Sequence, residues 1–152
     1  FVNLGASWKP TDKLRVEPRY QMQSFRRRSD GTMVGVRRLP RVKTEYQISR
    51  PIFIRVVGEY SSDWQDDLRD DARSNAPIYL LNRATGQYER AAGTSARSFR
   101  ADVLFSYQPT PGTVLFAGYG NTLADVNDDF KTRAFRRARD GFFLKFSYLF
   151  RL

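Results

Sequence analysis

The last eleven residues of the chain alternate between two kinds of side chain. Counting back from the C-terminus, every second residue is apolar or aromatic: Leu152, Phe150, Tyr148, Phe146, Leu144 and Phe142. The intervening positions are mixed and include Arg151 and Lys145. Because successive side chains of a β-strand point to opposite faces, a period of two predicts a strand. This terminal strand would have one continuous apolar face, which favours a hydrophobic environment.

The same alternation recurs in six earlier segments, which predicts seven strands and an all-β, antiparallel fold. These segments cover about residues 2–9, 14–23, a third strand that ends at 49, 52–60, 98–107 and 114–120. Pro18 conflicts with the second strand, because proline cannot donate to a ladder, and a bulge there would accommodate it. Pro40 makes the start of the third strand uncertain for the same reason. Residues 78–81 and 87–89 flank a glycine-containing turn and predict a small hairpin.

The connections between these strands alternate in length. Those at 10–12, 49–51 and 108–112 are short and contain proline, whereas those at about 26–33, 61–96 and 121–140 are long and polar. Outer-membrane β-barrels combine short periplasmic turns with long extracellular loops. If the C-terminus is periplasmic, every short turn falls on the same side. Residues 1–152 are therefore predicted to form part of one outer-membrane β-barrel domain, and the alternative is a soluble barrel or sandwich with uneven loops.

Composition alone favours a different class of protein. The chain of 152 residues has a mean hydropathy of −0.57 and a formal charge of +10, values typical of a soluble basic protein such as a nucleic-acid binder. No segment approaches the roughly 20 apolar residues of a transmembrane helix. Neither the low mean hydropathy nor the lack of a long apolar run argues against a transmembrane barrel, because only half of the residues of each strand face lipid.

Aromatic residues are predicted to form girdles at the two membrane interfaces. Near the short-turn ends of strands lie Trp8, Tyr46, Tyr107, Tyr148 and Phe150, and near the long-loop ends lie Tyr60, Trp64, Phe99 and Tyr119. Ordinary enrichment of aromatics in strands is the alternative, and it predicts no clustering at strand ends. The apolar residues of the terminal strand, from Phe142 to Leu152, are the candidate signal for the barrel-assembly machinery.

The polar positions of the strands are predicted to face the lumen. They are Arg15, Glu17, Arg19, Lys43, Glu45, Arg55, Glu59, Arg100, Asp102, Lys145 and Arg151. Basic residues outnumber acidic ones in this set, which favours a channel that prefers anions or passes saccharides, because charged rings tune pore selectivity. The alternative is a cross-strand salt-bridge network that fills a plugged or narrow lumen.

The sequence carries no signal for catalysis, and no cofactor or metal site is predicted. Cysteine and histidine are absent, which removes the thiolate nucleophile and the commonest general base. Five aspartates between residues 63 and 71 could supply calcium ligands, but they lack EF-hand spacing and favour a solvated loop. Arginines in two predicted loops, 26–28 and 133–139, could contact lipopolysaccharide phosphates or remain solvated.

Two observations indicate that more of the barrel precedes Phe1. Bacterial single-chain barrels usually have an even number of strands, and lipid does not tolerate an unpaired edge, so seven strands predict at least one further strand upstream. The chain also begins without a signal peptide although an outer-membrane protein must be exported, which predicts a mature or truncated chain.

Three stretches resemble a known family. They are KTEYQISRPIFIRVVGEY at 43–60, LFSYQPTPGTVLFAGYG at 104–120 and FLKFSYLFRL at 143–152. They are similar to the C-terminal region of large bacterial outer-membrane proteins that join an N-terminal domain resembling family 9 carbohydrate-binding modules to a barrel of uncharacterised function. The resemblance implies that this chain is the last part of such a barrel, and it carries over no catalytic residue. Leu152 departs from the Phe or Trp that is commoner at barrel ends.

The sequence therefore favours a non-enzymatic segment of a Gram-negative outer-membrane β-barrel that passes or binds a solute such as an oligosaccharide. The expected partners are outer-membrane lipid and lipopolysaccharide, the barrel-assembly machinery and the missing N-terminal strands, with no nucleic acid. Two alternatives stay open. One is a non-conducting barrel that anchors a carbohydrate-binding domain, and the other is a soluble basic β-protein that binds nucleic acid.

Overall fold

The computed structural model describes residues 1–125 and 135–149, and every regular element in them is a β-strand. The strands are β1 (Val2–Gly5), β2 (Trp8–Thr11), β3 (Leu14–Arg26), β4 (Met33–Ser49), β5 (Ile52–Gln65), β6 (Tyr79–Leu81), β7 (Tyr88–Arg90), β8 (Thr94–Thr110), β9 (Thr113–Asp125) and β10 (Phe135–Tyr148). The predicted all-β, antiparallel fold is confirmed. Within these residues, no helix is long and apolar enough to cross a membrane.

Eight strands form one antiparallel sheet in the order β1, β3, β4, β5, β8, β9, β10, with β2 also paired to β3. Sequence neighbours are therefore neighbours in the sheet, as in a meander. Strands β6 and β7 form a separate two-stranded sheet, which confirms the predicted small hairpin. Within the described residues the sheet is open, because β1 and β10 lie at opposite edges. Closure of these strands into a barrel stays a prediction.

The first predicted strand is divided in two, and Pro18 of β3 lies opposite the division. The Ala6 amide donates to the Pro18 carbonyl at 3.0 Å, and pairing resumes at Trp8 with Val16. Because a strand residue directs its nitrogen and its carbonyl towards the same neighbour, the missing N–H of Pro18 faces this gap. The predicted bulge at Pro18 is wrong, since Pro18 pairs with Val42 of β4 in an unshifted register.

Several strands run further than the alternation predicts. Strand β4 continues through Pro40, and β5 and β8 extend to Gln65 and Thr94, so the long loop between them covers 66–93 rather than 61–96. The predicted loop 121–140 is also too long, because residues 121–125 and 135–140 are strand, while 126–134 lie outside the described residues. These extensions carry polar residues on both faces, and backbone pairing with the neighbouring strand maintains them without an apolar alternation.

The cross-strand register places the apolar sets of all the long strands on one face of the sheet. One row runs through Leu14, Tyr46, Ile54, Phe105, Ala117 and Leu144. Among the described residues, only Val36 and Ala91 are buried hydrophobics. On β10, Phe142 is 87% exposed and Leu144 is 71% exposed. This apolar face is therefore uncovered by any second layer of the described chain, unlike the inner face of a soluble sandwich.

Candidate functional site

The predicted lumen-facing residues share the opposite face of the sheet, here called the polar face. Ten of them are described and lie on it by register, while Arg151 lies outside the described residues. One row of this face runs through Arg15, Glu45, Arg55, Leu104, Gly118 and Phe143. The next row runs through Glu17, Lys43, Val57, Asp102, Gly120 and Gly141. That this face lines a lumen stays a prediction.

Alternating charges form an ion-pair network across β3, β4 and β5. Glu17 contacts both Arg15 and Lys43, with Lys43 Nζ 2.9 Å from a Glu17 carboxylate oxygen. Lys43 also lies 3.4 Å from Glu45, which accepts a hydrogen bond from Arg55 Nε at 2.7 Å. Opposite charges that face each other across strands stabilise a sheet by a few tenths to about 1 kcal/mol per pair. The network supports the salt-bridge alternative for this part of the polar face.

A third row of the polar face, here called the arginine row, consists of Arg19, Arg41, Glu59, Arg100 and Arg139, with Thr122 between the last two. Sequence reasoning omitted Arg41, because the start of its strand was uncertain at Pro40. It also assigned Arg139 to an external loop, whereas Arg139 lies in β10. Extending the alternation of β4 and β10 by a few residues would have placed both on this face.

Glycines of β9 leave room for side chains from both neighbouring strands. A Cβ added to Gly118 would lie 2.3 Å from an edge carbon of the Phe143 ring, and one added to Gly120 would lie 2.6 Å from Asp102 Oδ1. The Phe143 ring thus covers the Gly118 backbone from β10, an arrangement that compensates for the missing side chain of a glycine in a sheet. This contact explains why an aromatic residue occupies the polar face of the terminal strand.

We expect Gly118→Ala to destabilise the chain by about 1–3 kcal/mol, because the new methyl group overlaps the Phe143 ring. Gly141→Ala is the matched control on the neighbouring strand and the same face, since its Cβ would meet no atom of the described residues within 4 Å. Urea unfolding midpoints of detergent-solubilised chains measure the difference. Equal midpoints for the two variants would contradict this role of Gly118, and Phe143→Ala should restore much of the loss in the double variant.

A shallow depression of 530 Å³ lies on the polar face across β9. Its charged lining comes from Arg55, Arg100, Asp102 and Arg139. Gly120 and Gly141 form part of its lining, and Phe143 contributes an aromatic side chain. Arg100 Nε lies 2.8 Å from Asp102, whereas Arg139 has no carboxylate within salt-bridge distance in the described part of the chain. Among the described residues, the depression therefore combines two paired guanidinium groups, those of Arg55 and Arg100, with the unpaired guanidinium of Arg139.

The side chain of Arg27 joins the loop at 27–32, between β3 and β4, to the loop at 66–93, between β5 and β8. It is 1% exposed, and its donors reach Asp71 Oδ1 at 2.8 Å, Asp66 Oδ2 at 2.7 Å, Thr32 Oγ1 at 3.1 Å and the Asp67 carbonyl at 2.9 Å. Hydrogen bonds from this guanidinium hold the pKa of the Asp66 carboxyl below its usual range. Arg27 was predicted as a solvated or lipopolysaccharide-contacting residue, and its burial excludes solvation.

Asp30 makes a second contact between the same loops. It accepts hydrogen bonds from the hydroxyl and amide of Thr32 and, at 2.8 Å, from the Asn75 side chain. These bonds, with Thr32 as the largest cause, lower the pKa of Asp30 from 3.8 to about 2. Because the folded pKa lies below the unfolded one, this stabilisation is present above about pH 4 and is lost as the pH falls towards 2.

The aspartates considered for calcium mostly have partners in the protein. Asp66 and Asp71 bind Arg27, Asp67 binds Arg90 and the Gly93 amide, and Asp63 faces Arg37 across 4.0 Å. In the ranges that the structure describes, no group of three or more acidic side chains is arranged to hold a metal ion. Most of these aspartates therefore form ion pairs and hydrogen bonds within the protein. Backbone hydrogen bonds among Leu68, Ile78 and Ala91 hold the loop together as well.

Four predicted interface aromatics lie on one diagonal of the apolar face. Trp8 pairs with Val16, whereas Tyr46 pairs with Leu14, two residues lower on β3. On β5, the partner of Tyr107 lies two residues from the partner of Tyr46. On β9, the partner of Tyr148 lies two residues from the partner of Tyr107. These four side chains stand on alternate strands, so the diagonal descends one residue per strand. The long-loop aromatics Tyr60, Trp64, Phe99 and Tyr119 share the face but follow no single line.

The candidate assembly signal is partly described. Phe142, Leu144, Phe146 and Tyr148 lie together on the apolar face of the edge strand β10, and all four are exposed. Phe150 and Leu152 lie outside the described residues. Recognition of these side chains by an assembly machinery stays a prediction.

Comparison of the chain with protein-family models, with curated proteins and with solved structures finds no match.

Proposed function

We propose that this chain is a segment of a bacterial outer-membrane β-barrel that passes or binds a solute such as an oligosaccharide. In this proposal the apolar face contacts lipid and lipopolysaccharide acyl chains, and the polar face lines the interior. The barrel-assembly machinery would read the exposed edge strand β10, and the remaining strands of the barrel would pair with the edges of the sheet. The resemblance noted above to barrels joined to carbohydrate-binding-like domains is consistent with this proposal and belongs to it.

The observation that carries the proposal is the geometry of the apolar face. In a barrel whose shear equals its strand number, the strands tilt by about 36° from the barrel axis. In such a barrel, a line that descends one residue per strand is perpendicular to the axis. Transmembrane barrels have tilts of about 35–45°. The aromatic diagonal through Trp8, Tyr46, Tyr107 and Tyr148 would then lie level in the membrane plane, as an interfacial girdle does.

The charges of the apolar face that lie closest above this diagonal are on β4 and β10, whereas on β8 the first is Arg97, ten residues before Tyr107. On β4 the first is Arg38, eight residues before Tyr46, and on β10 it is Asp140, eight residues before Tyr148. At about 3.3 Å per residue and a tilt of about 36°, eight residues span about 21 Å. The apolar band of outer-membrane barrels is about 25 Å tall. A lipid-facing band therefore accounts for the position of both charges.

The ion-pair network from Arg15 to Arg55 favours the second candidate, a barrel that anchors another domain and conducts nothing. Such a network would occupy the interior on the β3–β5 side. Planar-bilayer conductance of the whole protein separates the two candidates, because a silent bilayer would contradict passage of a solute. A soluble nucleic-acid binder is disfavoured, since it would leave the apolar face of every long strand in water.

The two tryptophans of the chain allow a direct test of the membrane location. Trp8 lies on the diagonal, whereas Trp64 lies beyond the charged residues, in register with Val36 and Ser95. In vesicles of brominated phosphatidylcholine, we expect strong quenching of Trp8 fluorescence in the Trp64→Phe variant. The reciprocal Trp8→Phe variant should show little quenching of Trp64. Equal emission in brominated and ordinary vesicles for both variants, with the chain remaining unbound on flotation, would contradict the proposal.

A further inference from the structure

The arginine row carries more positive than negative charge among the described residues, although Asp102 on the neighbouring row also pairs with Arg100. It contains four arginines and one glutamate in one register row of the polar face. Arg19 and Arg41 are directly opposite each other across β3 and β4, an arrangement that destabilises a sheet. Glu59 reaches Arg41 only at 3.9 Å. The described part of the chain therefore leaves this row with surplus positive charge, which attracts a negatively charged group.

The depression described above lies at one end of this row. Arg100 on β8 and Arg139 on β10 flank β9, and Thr122 stands between them in register. The floor is open because Gly141 presents no side chain and has no heavy atom of the described residues within 4 Å of its Cβ position. The volume of 530 Å³ is within the range of small-ligand sites, about 300–1,000 Å³. The two guanidinium groups thus border a space large enough for a small solute.

We propose that this depression binds a small oxyanion, a phosphate or carboxylate group of a solute, between Arg100 and Arg139. The inference rests on the proposed function, because it takes the polar face to be in contact with water inside the barrel. Guanidinium groups bind carboxylates and phosphates through two parallel hydrogen bonds, and arginine rings favour anions in pores. The Thr122 hydroxyl supplies a third donor at the same level.

The surroundings limit the charge of the ligand. Asp102 pairs with Arg100 at 2.8 Å, and Arg55 is already bound to Glu45 at 2.7 Å. One guanidinium, that of Arg139, is therefore fully available among the described residues, and Arg100 is shared. This balance suits a single phosphate or carboxylate group held weakly, with a dissociation constant on the order of 1 mM. Weak binding is compatible with passage, because a solute that binds tightly leaves slowly.

Inorganic phosphate is the probe, added at constant ionic strength to the full chain in maltoside micelles, a detergent without phosphate. Arginine Nε resonances report binding. We expect saturable shifts for the unmodified chain and at least a tenfold weaker affinity for Arg139→Gln, because one charged bidentate contact is lost. Arg137→Gln is the matched control, since Arg137 lies on β10 but on the apolar face. It should change the affinity less than about twofold.

The outcomes separate this site from the membrane proposal. Equal affinities of the Arg139 and Arg137 variants, or no saturable shift in a chain that inserts into vesicles, would overturn the site alone. Intact phosphatidylglycerol mixed into the micelles in place of free phosphate should produce no shift, because its acyl chains hold its phosphate at the micelle surface. If it produces the shifts of Arg100 and Arg139, the polar face contacts lipid, and the proposed orientation of the barrel is wrong as well.

Discussion

Val56→Arg is expected to abolish insertion of the chain into lipid vesicles. Val56 lies on the apolar face of β5, between Thr44 and Val103, and is 42% exposed with no layer of the described chain over it. It also lies a few residues above the aromatic diagonal, within the proposed lipid band. An arginine on the lipid face near the bilayer midplane costs about 2–4 kcal/mol, which lowers the equilibrium constant for insertion at least about thirtyfold and thereby depletes the inserted population. Flotation of vesicles with bound chain measures that population.

The adjacent residue provides the matched control. Val57 belongs to the polar face, where it stands between Lys43 and Asp102 in register. An arginine at position 57 would meet water and a nearby carboxylate, so Val57→Arg should insert as the unmodified chain does. In a soluble protein the expectation is reversed, because a charge at the exposed position 56 would be harmless. Equal flotation of the two variants would therefore contradict a lipid contact at Val56.

The sequence predicted the two faces of the sheet well, and the reason is local. A strand fixes the side of each residue by its parity, so Arg15, Lys43 and Arg100 could be assigned without knowledge of their neighbours. Proline was the main source of error within strands. Pro18 was expected to bulge β3, but the structure interrupts the neighbouring strand instead. A proline removes one backbone donor, but it does not determine which of the two paired strands is interrupted. That also depends on the sequence of the neighbouring strand.

The candidate site was only half predictable, because it depends on which residues of different strands share a level. The arginine row follows from the register of five strands, and register requires knowledge of where each turn closes. Arg139 was lost because the loop before the terminal strand was predicted to extend to about residue 140, whereas β10 begins at Phe135. The contact of Arg27 with Asp71 joins residues 44 positions apart, and no periodic pattern reports such a contact.

Arg27→Ala is expected to release the long loop 66–93 while the sheet remains paired. The substitution removes four hydrogen bonds and leaves the Asp66 and Asp71 carboxylates without their cation. The loss is costly because the Arg27 side chain is 1% exposed and its hydrogen bonds to these partly exposed carboxylates are charge-assisted. We expect trypsin to cleave the loop at Arg69, Arg73 or Arg83 at least about tenfold faster. When a loop opens and closes faster than it is cut, the cleavage rate follows the fraction of open loop, which the substitution raises. Mass spectrometry of the fragments identifies the sites.

Arg28→Ala is the control for charge and position, since Arg28 is adjacent and exposed. It should leave the cleavage rate within about twofold, as substitutions away from buried contacts usually do. Arg27→Lys keeps the charge but cannot reach several acceptors with one rigid fork, so its rate should fall between the other two. If Arg27→Ala and Arg28→Ala are cleaved equally fast, the loops are held by Asp30, Asn75 and the backbone bonds of Leu68 rather than by the Arg27 guanidinium. The order of the three rates thus distinguishes a buried electrostatic contact from a general effect of lost positive charge.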